Sequence, residues 1–327
     1  MTSKNCVKFP CFVVAFRLKF ALYYLTKIQN MRVFVTGVTG FVGSAVVREL
    51  IGAGHQVLGL ARSDAGAQSL IAAGAQVHRG DLTDLESLRS GAAMADGVIH
   101  TGFVHDFTKF NESCEVEKRV LEALGSVLAG SNRPLIISSG TGLFKGGILA
   151  TEDCISPSSF SSSPRIISEE MTVLLTERGV CASAVRLPQV HGEGDHGFVS
   201  ILIKIAREKG VSAYIGEGLN HWPSVHRFDA ALLYRLAFEK GIAGARYHAV
   251  AEEGIPLRDI AGIIGKHLNV PVVSKSVEEA AAHFDWFSYF AAIDNRASSE
   301  RTREQLGWHP TQIGLLEDLD QGHYFGS

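Results

Sequence analysis

Residues 33–43, Val33-Phe34-Val35-Thr36-Gly37-Val38-Thr39-Gly40-Phe41-Val42-Gly43, constrain this chain more than any other stretch. The apolar run 33–35 reads as a short buried strand, and 41–50 reads as a helix. Between them a glycine stands at every third position. A strand-to-helix turn of this kind needs residues that tolerate positive φ, and no Cβ where a ligand approaches the backbone. The helix start then offers free N–H groups and the positive end of its dipole to phosphates. A plain tight turn would use such a triplet too. The placement between strand and helix favours a dinucleotide site made by Gly37, Thr39, Gly40, Phe41, Val42 and Gly43.

After this loop the pattern alternates. Strands are expected at 56–60, 75–78, 97–100, 134–138 and 184–187, and helices at 64–72, from 84, at 115–128 and from 163 to about 178. Thr83-x-x-Glu86 reads as a capping box for the helix from 84. Strands separated by helical stretches predict βαβ units and a Rossmann-type, doubly wound parallel α/β sheet. Beyond residue 197 helices alternate with short strands, predicting a smaller C-terminal α/β cap over a substrate. The expected division is a leader at 1–30, a nucleotide-binding part at 31–190, and a cap at 191–327 that returns some strands to the main sheet. At 327 residues and 46% hydrophobic content, the chain has material for both.

Charge excludes some partners. The net charge of −3 gives no electrostatic ground for binding nucleic acid or an anionic membrane. Five scattered cysteines without metal-ligand spacing suit a reducing compartment. Residues 1–30 hold no acid and five basic residues, and their apolar run is broken by Arg17 and Lys19, too short and too charged to span a bilayer. This leader reads as a dispensable extension of a cytoplasmic protein starting at Met31, or else as a mitochondrial presequence. A monomer or homodimer acting on a small molecule is the expected assembly.

The end of the second strand selects the cofactor. An NAD site usually places an acid there for the ribose 2′-OH. This chain has Ala61-Arg62-Ser63, a guanidinium and a hydroxyl suited to a 2′-phosphate, so NADP(H) is expected, with NAD as the alternative if Asp64 serves the ribose. Asp81 and Leu82 stand where an adenine contact would fall, and either that role or a turn role suits Asp81. The loop at 36–43, Gly80-Asp81-Leu82, Val98-Ile99-His100, Ile137-Ser138-Ser139, Val225-His226-x-x-Asp229 and Leu306-Gly307-Trp308-x-Pro310 together resemble the extended short-chain dehydrogenase/reductases, the NAD-dependent epimerase/dehydratase group. The resemblance covers about residues 31–320 and is nearest to an atypical branch of that group.

The resemblance implies a Ser or Thr after the fifth strand, met by Ser139, and a Tyr-x-x-x-Lys opening the next long helix. Here Ser161 and Arg165 occupy those places. Arg165 can supply a cation near the nicotinamide ribose, but a guanidinium cannot donate a proton at neutral pH; Thr101 is a further expected cofactor contact. Tyr23 has a Lys four residues on, yet it precedes the glycine loop. Histidine is the natural substitute, with a pKa of about 6.5. His105, His191, His196, His221 and His226 fall on loops expected to face the crevice, with His191 and His196 the leading proton donors. Phe103, His105, Ser139, His191, Asp195, Trp222 and His226 are the expected substrate contacts, and Phe284, Trp286, Phe287, Tyr289 and Phe290 read as a pocket wall or a subunit contact. No metal is expected. Three functions follow: an NADP(H)-dependent oxidoreductase acting on a carbonyl or alcohol, a non-catalytic redox sensor, or a nucleotide-sugar epimerase or dehydratase.

Overall fold

A computed structural model describes residues 30–104, 109–144, 146–155 and 163–326. Residues 1–29 of the leader, His105 and Ser161 lie outside the described residues. In chain order the elements are β1 (Arg32–Thr36), α1 (Phe41–Gly52), β2 (Gln56–Ala61), α2 (Asp64–Ala72), β3 (Gln76–Arg79), α3 (Leu85–Ala93), β4 (Gly97–His100), α4 (Phe110–Leu128), β5 (Pro134–Gly140), β6 (Leu149–Ala150), α5 (Ile167–Glu177), β7 (Cys181–Leu187), β8 (Gln189–His191), α6 (Phe198–Lys209), β9 (Ser212–Ile215) and β10 (His221–His226). There follow α7 (Arg227–Lys240), β11 (Arg246–His248), β12 (Glu252–Pro256), α8 (Leu257–Leu268), β13 (Val272–Lys275), α9 (Val277–Phe284), α10 (Ser288–Ala291), β14 (Arg296–Ala297), α11 (Glu300–Leu306) and α12 (Leu315–Asp320).

Seven parallel strands form the main sheet in the order β11-β7-β5-β4-β1-β2-β3. The order reverses between β1 and β4, where Thr36 lies in register with His100. At such a switch point the loops leaving two adjacent strands diverge to opposite faces and open a crevice at their C-terminal ends. Strand alternation builds the layers. Val33 and Val35 pack with α1, α2 and α7 on one face, whereas Phe34 packs with α3, α4 and α5 on the other. Both α7 and β11 belong to this body although they follow residue 191.

The remaining C-terminal elements make a second, smaller layer. Strands β8, β10 and β12 form one three-stranded sheet and β9 pairs with β13. Their core is Val199, Ile203, Trp222, Ile260, Phe284, Phe287 and Leu315. No helix among the described residues is long and apolar enough to cross a membrane.

The structure differs from the expected elements in instructive places. The N-cap of α3 is Asp84, whose side chain accepts from Ser87 N at 3.2 Å, so the box starting at Thr83 does not form. Thr83 is instead drawn back to Asp81, donating its N–H at 2.9 Å and its hydroxyl at 2.8 Å. The helix expected from 163 opens as a 3-10 turn, with Ser163 accepting from Arg165 N before α5 begins. Strands β8, β10 and β12 and helices α9 and α12 were not anticipated, because short elements completed by tertiary contact carry too few residues for a period to emerge.

Candidate cofactor and substrate site

The three glycines at the switch point lack side chains for different reasons. Gly37 sits at φ 72°, and a Cβ there would lie 2.6 Å from Gly102 N on the strand-β4 exit loop. A Cβ on Gly43 would collide with the Gly37 carbonyl, so this glycine seats α1 against the loop. Gly40 is unlike both. Its φ of −77° is open to any residue, and a Cβ would meet only its own turn, at 3.1 Å from Gly37 O. The space it leaves open is on the outside of the loop. No side chain caps α1 there and its first turn holds no acid. Phe41 and Val42 thus open a helix whose N-terminal end is free to take an anion. A diphosphate fits this cradle.

Around it stand the other expected contacts. Thr39 packs over α2, its Cγ2 3.1 Å from where a Gly66 Cβ would be. Thr101 donates its hydroxyl to Thr36 O at 2.7 Å, and Leu82 lies against Gly102. Asp81 holds the Thr83 turn, and the Thr83 N–H, outweighing burial, brings its carboxyl below the usual range with help from Arg62. At the β2 end Ser63 is the N-cap of α2, accepting from Gly66 N at 3.1 Å. Asp64 is paired with Arg79 at 2.5 Å. Arg62 is exposed and has no hydrogen bond or ion pair among the described residues.

Below the crevice a charged group is buried. Arg165 donates Nη1 to Glu117 Oε1 at 2.9 Å and to Ser168 Oγ at 2.8 Å, and Nη2 to Ser138 O at 3.2 Å. Its guanidinium lies over the Phe103 ring, 4.0 Å from the centroid. Burial pushes the Glu117 carboxyl up, but Arg165 and then His100 overcome this and hold it at about 2. Glu117 escaped the sequence reading and His100 entered it only within a family motif, because an acid in a helix and a histidine ending a strand carry no pattern that reports a mutual contact.

Ser139 requires a correction. Alternation along β5 puts Ser138 and Ser139 on opposite faces. Ser138 Oγ meets His100 O at 2.7 Å and Tyr234 Oη at 2.6 Å on the α7 side. Ser139 is buried toward α5, its Oγ without a hydrogen-bond partner among the described residues, on the side of Glu169, whose carboxyl is kept low against burial by Arg186 above all. Glu169 in turn clamps Arg186, accepting at 3.0 and 2.8 Å, and Arg246 at 3.0 Å. The Ser139 hydroxyl thus lies beside a structural ion cluster rather than in the crevice.

The histidines do not all converge. His191 is buried on β8, its Nδ1 2.8 Å from Asp318 Oδ2, which also accepts from Tyr324 Oη at 2.8 Å. His226 packs edge-on against His191, with ring centroids 5.4 Å apart, and its Nδ1 accepts from Phe228 N to cap α7. His191 thus ties the C-terminal segment to the body, and His226 is spent on capping α7. His221 pairs with Asp294 at 3.1 Å. Among the candidates within the described residues only His196 is exposed, its ring 6.0 Å from that of Phe41 at the glycine loop. Its neighbour Asp195 accepts from Gly197 N at 2.7 Å through Oδ1, while Oδ2 is buried without a partner, and burial pushes this carboxyl up to about 6.

Arg227 joins this loop to α1, donating to Glu193 O at 2.9 Å and Ser44 Oγ at 3.0 Å across the Phe41 ring. Trp222, expected in the pocket, lies instead in the C-terminal core with Phe198 and Phe287, because β10 is an inner strand covered on that side. Phe284 and Phe287 are buried in the same core, whereas Trp286 and Tyr289 are about half exposed.

A doubly wound sheet with a bare, glycine-lined helix start at its switch point defines an NAD(P)-binding Rossmann fold. The model of the NAD dependent epimerase/dehydratase family matches residues 33–250, and the chain belongs to that family, whose chemistry is of the NAD(P)-dependent oxidoreductase type. An uncharacterized protein of Schizosaccharomyces pombe is 53% identical over 90% of this chain and all of its own length. The 2-alkyl-3-oxoalkanoate reductase of Stenotrophomonas maltophilia is 26% identical over 77% of this chain and 80% of its own. The dTDP-glucose 4,6-dehydratase of Streptomyces venezuelae, solved with NAD bound, superposes with a TM-score of 0.72 at 18% identity, covering 90% of this chain and 96% of that one. At that identity the likeness is one of fold.

Proposed function

We propose that the protein is an NADP(H)-dependent oxidoreductase acting on a carbonyl or alcohol of a small organic substrate. The observation that carries this reading is Gly40, whose missing Cβ leaves room only on the ligand side of an uncapped helix. Gly37, Thr39, Gly40, Phe41, Val42 and Gly43 bind the diphosphate, and Asp81, Leu82 and Thr101 border the adenine and ribose. Arg62 binds a 2′-phosphate, with Ser63 beside it. The acid that could serve an NAD ribose, Asp64, is paired at the surface with Arg79. When bound, the pyridine nucleotide supplies or accepts the hydride. Arg165, over Phe103, holds a fixed positive charge at the crevice floor and moves no proton. His196, exposed beside Phe41, delivers the proton directly or through water, with the protonatable Asp195 as its neighbour. The likeness to a 3-oxo acid reductase supports carbonyl reduction.

One observation favours a binding-only redox sensor as the second reading. Tyr234, whose phenol meets Ser138, is fully buried, and burial pushes it far above its ordinary pKa. It cannot replace the missing acid without a rearrangement. Calorimetric titration with NADPH and NADH, followed by nucleotide oxidation over a panel of ketones, aldehydes and 3-oxo acids, separates the readings. Turnover of any of these supports the oxidoreductase, and tight binding without turnover supports the sensor. Arg62→Asp should lower the NADPH-over-NADH affinity ratio by about tenfold or more, the scale of one charge-assisted phosphate contact. An unchanged ratio would remove Arg62 from the cofactor site.

A further inference from the structure

Glu117 is the one acid on the buried stripe of α4, among Val120, Leu121 and Leu124. A charge in such a place costs stability unless every lone pair is used, and a well-packed apolar residue often serves stability as well as a buried ion pair. Stability alone therefore does not account for it. Both oxygens are occupied: Oε2 lies 3.0 Å from His100 Nε2, and Oε1 accepts from Arg165 Nη1 at 2.9 Å and from Ser168 Oγ at 3.1 Å.

The chain of bonds continues to the glycine loop. His100 Nδ1 is 2.7 Å from Thr36 Oγ1. The ionised Glu117 carboxylate can only accept, so the imidazole carries a proton on Nε2 toward it, and in the neutral ring Nδ1 accepts from the Thr36 hydroxyl, which itself accepts from Gly102 N at 3.3 Å. Thr36 is the residue before Gly37, and its carbonyl accepts from Thr101. The strand ending that opens the diphosphate loop and the arginine at the crevice floor thus lean on the same carboxylate. Arginine has several rotatable bonds whose freedom is lost when the guanidinium is held in one pose. The Glu117 carboxylate, the Ser138 carbonyl and the Phe103 ring remove that freedom.

We propose that Glu117 is a positioning residue, holding the Arg165 guanidinium in the pose that receives the cofactor and fixing it relative to the glycine loop through His100 and Thr36. The proposal rests on the assignment of Arg165 to the cofactor site made above. Its consequence is that Glu117, which touches no ligand, sets nucleotide affinity entirely through Arg165.

The test is a double-variant cycle read by fluorescence or calorimetric titration with NADPH, independent of turnover. Arg165→Met should weaken binding about tenfold, and Glu117→Gln about fivefold, the range for losing one charge-assisted contact. The double variant should bind no more weakly than Arg165→Met alone. A residue needed only for folding would instead add its effect in both backgrounds. Should Glu117→Gln fail to fold, Glu117→Asp keeps the charge but is one methylene too short to reach both His100 and Arg165, and the same non-additivity is expected. Effects that multiply in the double variant, or a Glu117 variant whose affinity stays within about twofold of the parent, would overturn the proposal. Failure of the parent protein to bind either pyridine nucleotide is a different result, and it would overturn the functional reading itself.

Discussion

Gly40 and Gly43 are three residues apart, yet their side-chain-free positions answer to different forces, and substitution separates them. Gly40→Ala should fold with a melting temperature within about 3 °C of the parent, since its φ is ordinary and its neighbour need yield only a few tenths of an ångström. It should still lose about tenfold or more in NADPH affinity, because the new methyl fills the ligand side. Gly43→Ala should lower stability by about 2 kcal/mol or more, because backbone must move. Thermal melts and titrations on both proteins check the pair, and equal loss of fold and affinity in both would refute the division of labour.

Asp195 offers a test by pH. Its folded pKa of about 6 exceeds the ordinary 3.8 because burial disfavours the charge. Between those values the folded chain binds a proton that the unfolded chain has released, so this group lowers stability as pH rises from about 4 to about 6, with no further loss above. Asp195→Asn keeps the acceptor for Gly197 N and removes the charge. Urea unfolding should find the variant more stable than the parent at pH 7.5, by on the order of 1 kcal/mol allowing for partial solvent access, and equal to it near pH 4.

At the scale of elements, two sequence motifs of the family prove to be the two halves of one joint. Asp229, in the first turn of α7, accepts from Thr311 N and Gln312 N at 3.0 Å each, and its own carbonyl accepts from Trp308 Nε1 at 2.9 Å. The Val-His-x-x-Asp and Gly-Trp-x-Pro segments are therefore in mutual contact. Asp229→Ala leaves two N–H groups without their carboxylate and should cost about 2–4 kcal/mol, read as a lowered urea midpoint with an unchanged slope. Helices α1, α2, α6, α7 and α8 were legible because each runs nine residues or more and has a capping or breaking residue beside it. Strands β8, β10 and β12 were not, since an inner strand of three to six residues is defined by its neighbours.

For the whole molecule, the chain's path matters more than a division at residue 190. The apolar face of β1, β4 and β5 is closed by Tyr234, Leu233 and Ala237 of α7, and the sheet ends with β11, both contributed after the chain has already built part of the C-terminal layer. A fragment of residues 31–190 should consequently expose Val33, Val35, Ile99 and Ile136. It is expected to keep helical far-ultraviolet circular dichroism, lose near-ultraviolet signal and bind a hydrophobic dye, as collapsed states without fixed packing do. A cooperative thermal transition in that fragment would refute this account.

The order of strands and helices in the nucleotide-binding half and the glycine spacing of the loop after β1 were legible in the sequence alone, because local periodicity, glycine spacing and chain order are properties of neighbouring residues. Tertiary structure decided the rest. It buried Ser139 away from the crevice on the face opposite Ser138, tied His191 to the C-terminal segment through Asp318, made His226 the cap of α7, and joined Arg165, Glu117, His100 and Thr36 into one chain of bonds. Those four residues span 129 positions from Thr36 to Arg165, and only the closing of a parallel sheet with its crossover helices brings them within hydrogen-bond reach.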